Sequence, residues 1–414
     1  MKACIFTLGC KVNECESGSL AEGLARLGYE VAEGLAPADV YILNTCAVTA
    51  EAEKKSRQAV ARIRAVAPDA RILVCGCASE RAPASFAGKP GVTVVTGARQ
   101  KGKILSLLGE RGVFMEEEDG GYDELLPPRT FRARAFVKIQ DGCNNFCSYC
   151  IIPYLRGRSR SRRLESAAAE ILACPAEEAV VTGIDVSSYR DEGGRDLADL
   201  LLAVKDARCR VRLGSLEVGA VTEKLLCAAE QVRDFAPHFH LSLQSGAERV
   251  LRKMNRHYTK EDYRARVALI RAHFPDAAVT TDIIAGFPTE TEEDFAETLA
   301  FAEEIGFAQI HCFPYSRREG TNAAKLPDLP AAVKSGRLHR LLALAARLRG
   351  EYERRFIGKT LEFVPEERVG EYTEGYSENY IRLYVAQPVA HKCRVRAVRA
   401  VKDGLLAVPE PEIR

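Results

Sequence analysis

The sequence predicts an α/β protein made of three successive parts: a parallel α/β domain, a partial barrel of six βα units and a small β-barrel. Two long stretches alternate short β-rich runs with helical patterns, and such alternation is typical of a parallel sheet covered by helices. The last stretch contains short strands separated by glycines, which is typical of a small β-barrel. We therefore expect domains at residues 1–113, 133–355 and 356–414, with a linker at 114–132.

The first domain contains four β-rich runs, each followed by a helical pattern. The runs lie at residues 3–8, 40–44, 72–75 and 92–95, and the helical patterns begin near Asn13, Thr49, Ser79 and Arg99. In such folds, ligands gather at the carboxyl ends of the parallel strands. The sequence therefore predicts a binding site where these strands end.

A cysteine follows each of the first three predicted strands, at Cys10, Cys46 and Cys77. Any one of them alone would be more typical of a small buried residue. Three at equivalent strand ends indicate a shared site, because three thiolates can hold three irons of a 4Fe-4S cube and leave the fourth iron open. We expect the other cysteines of this domain to lie in its core, namely Cys4, Cys15 and Cys75.

The composition shifts after the first domain, where an acidic run at residues 116–119 is followed by Pro127 and Pro128. This pattern indicates a solvated linker. Six further β-rich runs lie at residues 135–139, 179–181, 211–213, 239–243, 278–284 and 308–313. Six parallel strands fall short of the eight of a closed barrel, so we expect an open, partial barrel. A long basic amphipathic helix at about 331–356 leads to the last domain.

The loop after the first strand of this barrel carries three closely spaced cysteines, Cys143, Cys147 and Cys150. Their spacing indicates a second three-thiolate iron-sulfur cluster with an open iron. A zinc knuckle or spare buried thiols are the alternatives, but zinc favours a fourth Cys or His nearby, and none occurs between residues 135 and 169. An open iron implies that a small molecule binds there and reacts.

The composition is that of an ordinary globular protein, with 414 residues, 47% apolar residues and a net charge of +2. No segment has the apolar length of a membrane span, and the amino terminus lacks the apolar run of a signal peptide. We therefore expect a cytoplasmic protein with no membrane partner, whose 14 cysteines include metal ligands rather than a disulfide framework. The near-neutral charge alone predicts no polyanion partner.

Two clusters of basic residues are candidate RNA contacts. The first follows the cysteine loop and consists of Arg156, Arg158, Arg160, Arg162 and Arg163. The second lies near the end of the chain and consists of Lys392, Arg394, Arg396, Arg399 and Lys402, with Tyr376, Tyr380 and Tyr384 as stacking surfaces. For the first cluster the alternative is a solvated face, or pairing with Glu165 and Glu170. For the second it is ordinary barrel core and exterior.

The Cys-x3-Cys-x2-Cys spacing, with Tyr149 before the last cysteine, resembles the radical S-adenosylmethionine superfamily. Both cysteine sets and the order of domains together resemble the methylthiotransferases of that superfamily over essentially the whole chain. Further matching motifs lie at residues 151–153, 156–157, 182–183, 241–246, 254–259, 282–288 and 313–316. The resemblance implies a radical-forming barrel in the middle, a sulfur-donating auxiliary cluster in the amino-terminal domain, and a TRAM-like RNA-binding module at the carboxyl terminus.

The resemblance also implies two 4Fe-4S clusters and S-adenosylmethionine, which serves as methyl donor and as radical source. Candidate contacts of this cofactor are Tyr149, Thr182, Gly183, Ser215, Glu217 and Gln244. The alternatives are a strand-to-loop turn at 182–183, a helix cap at 244–246, a solvated acid at Glu217 and a buried strand partner at Asp282. The chain departs from the expected family pattern at Asp185 and Val218. The implied reaction requires no histidine or carboxylate base.

The motifs at residues 7–13 and 376–381 resemble the branch that inserts a methylthio group at C2 of N6-threonylcarbamoyladenosine, at position 37 next to the tRNA anticodon. This implies the tRNA anticodon stem-loop as a partner, an electron donor such as flavodoxin or ferredoxin, and a sulfur source. We expect a monomer. The alternatives are isopentenyladenosine in tRNA, an aspartate of a small-subunit ribosomal protein and, in another class, a non-catalytic iron-sulfur protein for RNA binding or electron transfer.

Overall fold

The computed structural model describes residues 1–99, 101–115, 120–129 and 133–410. Within these ranges the chain forms a six-stranded sheet, two four-stranded sheets and a closed five-stranded barrel. The predicted α/β fold with its terminal β-barrel is confirmed. Parts of the predicted linker, residues 116–119 and 130–132, lie outside the described ranges. No helix in the described part of the chain is long and apolar enough to cross a membrane.

The amino-terminal sheet is entirely parallel. Its strands are β1 (Lys2–Thr7), β2 (Glu30–Glu33), β3 (Val40–Thr45), β4 (Arg71–Gly76), β5 (Val92–Thr96) and β6 (Gly112–Phe114), in the order β2-β1-β3-β4-β5-β6. Its helices are α1 (Lys11–Arg26), α2 (Ala50–Val66), α3 (Cys77–Arg81) and α4 (Ala84–Ala87), followed by a 3-10 helix at Lys101–Leu107. The four predicted strands are present. The sequence missed β2 and β6 because these short edge strands bury no side chain fully.

Helices cover both faces of this sheet. Leu24 of α1 packs on one face together with Cys75 of β4, whereas Ile63 of α2 packs on the other face. Successive residues of a strand point to opposite faces, and the predicted placement of Cys75 in the core is confirmed. Cys4 and Cys15 are also buried, as expected.

The six predicted strands of the central barrel are all present, and they divide between two sheets. The strands are β7 (Arg134–Asp141), β8 (Arg160–Ser161), β9 (Glu178–Gly183), β10 (Arg210–Leu213), β11 (Ser215–Leu216), β12 (His238–Leu241), β13 (Ala278–Ala285) and β14 (Gln309–Pro314). The sheet orders are β10-β9-β7-β8 and β11-β12-β13-β14, with every pair parallel except β7 and β8. The expected open, partial barrel is confirmed; the sequence missed the two-residue strands β8 and β11.

Helices cover the outside of this barrel. They are α6 (Leu164–Leu172), α7 (Leu197–Ala203), α8 (Glu223–Glu230), α9 (Glu248–Lys253), α10 (Lys260–His273), α11 (Glu292–Ile305) and α12 (Ala331–Arg354), with 3-10 turns at Val186–Ser188, Val218–Ala220 and Ala323–Lys325. The short helix α5 (Ile152–Arg156) instead packs on the amino-terminal domain, where Leu155 joins the same apolar core as Ile63. Val137 and Phe239 belong to the apolar core under the helices. The alternate residues Lys138, His240 and Asp282 lie on the opposite face of their strands, so the barrel interior is polar.

The last domain is a closed barrel of five strands. They are β15 (Thr360–Val369), β16 (Tyr372–Ser377), β17 (Arg382–Val385), β18 (Cys393–Val401) and β19 (Gly404–Pro409), in the order β15-β16-β17-β19-β18. Only β17 and β19 pair in parallel. Leu361, Phe363, Leu383, Val395 and Leu405 fill the core of this barrel.

A buried ion pair and a stack of rings join the last barrel to the amino ends of the central strands. Arg212 donates to both carboxylate oxygens of Glu178, at 2.8 and 2.7 Å, and also to the Ser377 carbonyl at 3.1 Å. The ring of Tyr380 stacks on His238 with 4.2 Å between centroids and on Tyr376 with 4.8 Å. Tyr380 is therefore committed to the contact between the two barrels and offers RNA no free stacking surface.

Replacing Arg212 with alanine should destabilise the protein by about 3–5 kcal/mol, because Glu178 would remain buried without its bidentate partner. Urea unfolding followed by far-ultraviolet circular dichroism measures this loss. The matched control is Arg399→Ala, which removes an exposed arginine of β18 and should change the free energy of unfolding by less than about 0.5 kcal/mol. Equal effects of the two substitutions would contradict the account of this contact.

Candidate functional site

The cysteine loop of the central barrel begins directly after β7 and is shaped by a glycine. Gly142 adopts φ +70°, and a Cβ atom there would lie 1.9 Å from the carbonyl oxygen of Arg158. Only glycine allows this approach, which lets the Cys143 N–H donate to the Gly157 carbonyl at 3.1 Å. The start of the loop is thereby tied to the chain that follows it.

The segment after α9 holds the middle of the loop. The Ser148 N–H donates to the Met254 carbonyl at 2.9 Å, and the Asn255 side chain donates to the Asn145 carbonyl at 3.2 Å. The motif at residues 254–259, which was noted in the sequence only for its resemblance to the family, therefore helps to hold the cysteine loop in place.

Arg256, within the same motif, is a functional residue that the sequence did not single out. Its guanidinium donates to the Cys147 sulfur at 3.2 Å and to the Glu217 carboxylate at 2.5 Å. A guanidinium beside a thiol complements the negative charge that a ligating thiolate carries. Glu217 is therefore tied to the cysteine loop, and its interpretation as a solvated surface acid is wrong.

Four other candidate contacts of the cofactor lie at the same carboxyl edge of the strands. Thr182 is buried at the end of β9, and a Cβ atom on Gly183 would lie 3.0 Å from a carbonyl oxygen of β7. Ser215 is exposed at the start of β11. Gln244 adopts φ +65° and its N–H donates to the Asp282 carbonyl at 2.8 Å. The edge thus gathers polar groups from several strands around the cysteine loop.

Tyr149 has a different environment from these strand-end residues. It packs against a small apolar cluster that includes Met254, Phe287 and Tyr315. Its ring therefore anchors the end of the cysteine loop on this apolar cluster, and its contact with a cofactor stays a prediction.

Asp185, which the sequence marked only as a departure from the family pattern, also faces the cysteine loop. Its N–H donates to the side-chain oxygen of Gln140 at 2.7 Å, and its carboxylate accepts from the Asn145 side chain at 3.1 Å. Burial and the charge of Glu217 raise the pKa of Asp185 to about 6. Asp185 and Glu217 thus place two carboxylates near the loop that can accept hydrogen bonds from an ammonium group.

The three cysteine loops of the amino-terminal domain follow β1, β3 and β4, which are neighbours in the sheet. Gly9 adopts φ +123°, and a Cβ atom there would lie 3.2 Å from the Cys46 sulfur. The Asn13 side chain donates to the carbonyls of Leu8 and Thr45 at 2.7 and 3.0 Å. The first of these loops is therefore held against the second.

A second glycine places the third loop. Gly76 adopts φ +105°, and a Cβ atom there would lie 2.4 Å from the Thr45 carbonyl oxygen. Burial raises the pKa of Cys46 to about 11, and the charges of the Cys77 and Cys10 thiols raise it as well. The structure thus brings the three cysteines to one edge of the sheet, close enough for their charges to interact.

The chemistry of both cysteine trios fits iron-sulfur clusters. Burial and the charges of neighbouring groups raise the pKa of Cys143 and Cys150 to about 12, so these thiols need a bound metal to lose their protons at neutral pH. Among the described residues, neither trio brings three sulfur atoms within 4.8 Å of one another. Two sulfur atoms bound to one zinc ion would lie roughly 3.8 Å apart. The wider spacing of these sulfur atoms therefore fits thiolates that each bind a different iron of a 4Fe-4S cluster better than it fits a single zinc ion.

A buried cluster of charges joins the two cysteine sites. Arg156, at the end of α5, donates to both carboxylate oxygens of Glu16 at 2.9 and 3.1 Å, to Asp141 at 3.0 Å and to the Asn13 side chain at 2.7 Å. Arg156 is fully buried. The interpretation of Arg156 as an RNA contact is therefore wrong, because a phosphate cannot reach it.

Two lysines complete this cluster. Lys138 donates to Glu16 at 2.7 Å and to Asp141 at 2.6 Å. Lys101 donates to Glu16 and, at 2.9 Å, to the side chain of Asn44. We call these residues the Glu16 network: Glu16, Lys101, Lys138, Asp141 and Arg156.

The charges of the Glu16 network favour ionised carboxylates and an anion at the neighbouring cysteines. Burial alone would raise the pKa of each acid, but the cations hold the pKa of Glu16 well below its usual range and lower that of Asp141 to about 2. Three cations face two carboxylates, and Arg156 also contacts Cys77. This excess of positive charge complements an anionic thiolate cluster.

The remaining basic residues after the cysteine loop differ in exposure. Arg162 is buried and donates to Glu170 at 2.6 Å. Its interpretation as an RNA contact is therefore wrong, and the alternative of local pairing holds. Arg158 and Arg163 are exposed, and Arg160 is partly exposed.

The basic residues of the last barrel also divide into two groups. Arg394 and Arg396 are exposed on β18. Lys392 instead pairs with Asp234 of the central barrel, so its ammonium group is engaged within the protein. The exposed residues face outward because alternate residues of the same strand, such as Val395, fill the barrel core.

Two family models match this chain. Residues 2–97 match an uncharacterized protein family, UPF0004, and residues 137–302 match the radical SAM superfamily. The second match includes the whole cysteine loop of the central barrel. The fold and this site define a radical S-adenosylmethionine enzyme, a class that uses a 4Fe-4S cluster and S-adenosylmethionine.

A solved structure has a similar fold. The radical S-adenosylmethionine methyltransferase TsrM from Kitasatospora setae, solved with cobalamin and a [4Fe-4S] cluster, gives a TM-score of 0.56 at 15% identity. The match covers 78% of this chain and 77% of that chain. At this identity the likeness concerns the fold alone.

Similar proteins identify the family. The chain is 38% identical to the threonylcarbamoyladenosine tRNA methylthiotransferase MtaB of Bacillus subtilis (strain 168), over 91% of this chain and 88% of that protein. It is 35% identical to MtaB of Thermotoga maritima, over 97% and 96% of the two chains. It is 37% identical to the tRNA-2-methylthio-N(6)-dimethylallyladenosine synthase of Caldicellulosiruptor saccharolyticus, over 87% and 81%. The chain belongs to the radical S-adenosylmethionine methylthiotransferases, so the non-catalytic alternative is wrong.

Replacing Glu16 with glutamine should lower the free energy of unfolding by about 3–5 kcal/mol at pH 7, because three buried cations lose their shared carboxylate. The substitution should also weaken the acid sensitivity of the protein. The pKa of Glu16 is lowered in the folded state, so its contribution is present above about pH 4.3 and is lost as the pH falls below that value. Urea unfolding between pH 7 and pH 3 measures both effects.

The control for this substitution is Glu22→Gln on the same helix. Glu22 pairs at 2.9 Å with the largely exposed Arg26, and such a surface pair contributes less than about 1 kcal/mol. If Glu16→Gln and Glu22→Gln gave the same stability and the same dependence on pH, the Glu16 network would not hold the two domains together.

Proposed function

We propose that this enzyme inserts a methylthio group at C2 of N6-threonylcarbamoyladenosine, at position 37 next to the tRNA anticodon. The observation that carries the proposal is the pairing of two cysteine trios across the Glu16 network, one at the sheet edge and one at the barrel mouth. Similarity to proteins named for this activity supports the choice of substrate, because it extends over 91% of the chain or more.

In this proposal Cys143, Cys147 and Cys150 hold the cluster that cleaves S-adenosylmethionine, and Cys10, Cys46 and Cys77 hold a second 4Fe-4S cluster. When bound, the cofactor supplies a carbon radical that can take hydrogen from an unactivated C–H bond, and the second cluster supplies sulfur. The chain positions the reacting groups and keeps water away from them. No acid or base of the chain needs to react.

Groups around the cysteine loop orient the cofactor. Asp185 and Glu217 accept hydrogen bonds from its ammonium group, while Arg256 fixes Glu217 and complements the Cys147 thiolate. The strand-end groups Thr182, Gly183, Ser215 and Gln244 line the rest of the cofactor site, with Tyr149 at the end of the cysteine loop. Hydrogen bonds from Arg256 to Glu217 and Cys147, and from Asn145 to Asp185, hold these groups at the carboxyl edge of the barrel.

The RNA contacts in this proposal come from exposed arginines. Arg158 and Arg163 lie just after the cysteine loop, where an anticodon stem-loop entering the barrel mouth has to pass. Arg394 and Arg396 supply further phosphate contacts from the last barrel, in the manner of a TRAM-like module. An electron donor such as flavodoxin or ferredoxin would supply the electrons that the clusters need. In this proposal the enzyme is a cytoplasmic monomer that requires a sulfur source.

A second candidate substrate is isopentenyladenosine in tRNA. It is favoured by the 37% identity to the dimethylallyladenosine synthase of Caldicellulosiruptor saccharolyticus. The motifs at residues 7–13 and 376–381 favour the threonylcarbamoyl substrate instead. No contact described in the structure favours an aspartate of a ribosomal protein.

Incubation of the reconstituted enzyme with reductant, S-adenosylmethionine and tRNA bearing threonylcarbamoyladenosine should add a methylthio group to that nucleoside. Mass spectrometry of the digested tRNA measures the gain. If only tRNA bearing isopentenyladenosine gained the methylthio group, the second candidate would be the substrate. Release of 5′-deoxyadenosine with neither nucleoside modified would overturn both tRNA substrates while leaving the radical chemistry in place.

Replacing Cys147 with alanine should abolish cleavage of S-adenosylmethionine, whereas Cys46→Ala should spare cleavage and stop methylthiolation. The reason is that the two residues belong to trios with separate tasks. Chromatography of 5′-deoxyadenosine and of the nucleosides measures both reactions in one sample. Cys227→Ser, on an exposed residue of α8, is the control and should change neither; loss of both reactions in Cys46→Ala, with its other cluster intact, would contradict the division of labour.

A further inference from the structure

Three side chains from adjacent strands meet inside the central barrel, below its cysteine loop. They are His240 of β12, Asp282 of β13 and His311 of β14, and Asp282 pairs with His311 in the sheet register. One ligand atom from each lies within 4.8 Å of the others, and His240 Nε2 lies 3.3 Å from the Asp282 carboxylate. The proposed methylthiotransfer chemistry uses none of these three side chains.

His240 is the most informative member of this group. It is only 8% exposed, yet its buried Nε2 has no hydrogen-bond partner with proper alignment. Its Nδ1 lies 3.1 Å from the Thr280 hydroxyl, which also lies 2.8 Å from Nε2 of His238. In the tautomer that carries the proton on Nδ1 and donates it to Thr280, Nε2 directs a lone pair toward the Asp282 carboxylate, 3.3 Å away. A cation between these two acceptors would satisfy both.

The third member is available as a ligand too. Burial lowers the pKa of His311, and the charges of His240 and Lys11 lower it as well, while Asp282 opposes them. The geometry makes His311 a ligand candidate, because one of its ring nitrogens lies within 4.8 Å of the ligand atoms of His240 and Asp282. The group offers two imidazole nitrogens and one carboxylate oxygen.

We propose that His240, Asp282 and His311 bind a divalent transition metal of the zinc class. Two nitrogens and one oxygen, with a further position open, are the donor set of open zinc sites. Two ligand atoms bound to zinc at about 2.05 Å with tetrahedral angles lie about 3.4 Å apart, close to the 3.3 Å between His240 and Asp282. Thr280 supplies the outer hydrogen bond that orients a ligating histidine.

A second group of possible metal ligands in the described chain has similar spacing between its ligand atoms, but its histidine has no free ring nitrogen. Glu223, Cys227 and His273 also bring their ligand atoms within 4.8 Å. However, both ring nitrogens of His273 already bond to carboxylates, Nδ1 to Glu230 at 2.9 Å and Nε2 to Glu223 at 3.0 Å. We therefore assign no metal to this group, and it serves as the matched control.

The test measures zinc and iron in the full-length enzyme after both clusters are reconstituted and zinc chloride is added and then dialysed away. Mass spectrometry of the metals should find about one zinc per chain in addition to cluster iron. Asp282→Asn and His311→Gln should each lower zinc affinity about 10- to 100-fold or more without changing the iron content. Glu223→Gln should retain the zinc.

X-ray absorption at the zinc edge separates this site from zinc bound to cysteines. The proposal predicts a shell of nitrogen and oxygen at about 2.0–2.2 Å and no sulfur. A sulfur shell at about 2.3 Å, the absence of stoichiometric zinc, or equal zinc in the Asp282 and His311 variants would overturn it. Because the readout is the metal itself, loss of methylthiotransfer for any other reason would not affect the result.

Discussion

The Glu16 network is the constraint on which the rest of the structure depends. Burying five charged groups is unfavourable unless each finds partners, and the desolvation cost is several kcal/mol per ion. Here the cost is offset because Glu16 accepts from Arg156, Lys101 and Lys138 at once. Since Glu16 lies on α1 of the first domain and Arg156 follows the cysteine loop of the second, the same contacts that satisfy the charges also fix the two cysteine sites relative to each other.

The two ends of the central barrel have different tasks. At the amino ends of the strands, Arg212 and Tyr380 attach the last barrel through an ion pair and stacked rings. At the carboxyl ends, Gly142 with its positive φ and the contacts of Arg256 shape the loop that carries three cysteines. The polar interior between these ends contains His240, Asp282 and His311. The cysteine loop and the attachment of the last barrel therefore lie at opposite ends of the central barrel.

The sequence predicted the longer strands because periodicity is a local signal. Residue type and spacing also indicated two cysteine sites, and the clusters at these sites stay a prediction. The sequence-based prediction failed where the outcome depends on distant partners. Arg156 is buried because of Glu16, a partner 140 residues away in the chain. For Arg162 the sequence left pairing with Glu170 open as an alternative, and that local pairing is present. Edge strands of two or three residues, such as β11, carry too few side chains to show a pattern. The role of Arg256 was hidden because its contacts with Cys147 and Glu217 join segments far apart in the chain.

The coupling between cofactor cleavage and methylthiolation is the most direct test of the claim that the Glu16 network sets the geometry of the two sites. The measurement is the ratio of released 5′-deoxyadenosine to methylthiolated nucleoside in Lys138→Met, which breaks contacts to Glu16 and Asp141 but touches no cysteine ligand. The account predicts that both clusters retain their iron and that cleavage of S-adenosylmethionine continues. The ratio should rise several-fold, because the sulfur site is no longer held in the correct position relative to the substrate radical. An unchanged ratio in a folded, fully iron-loaded variant would contradict it.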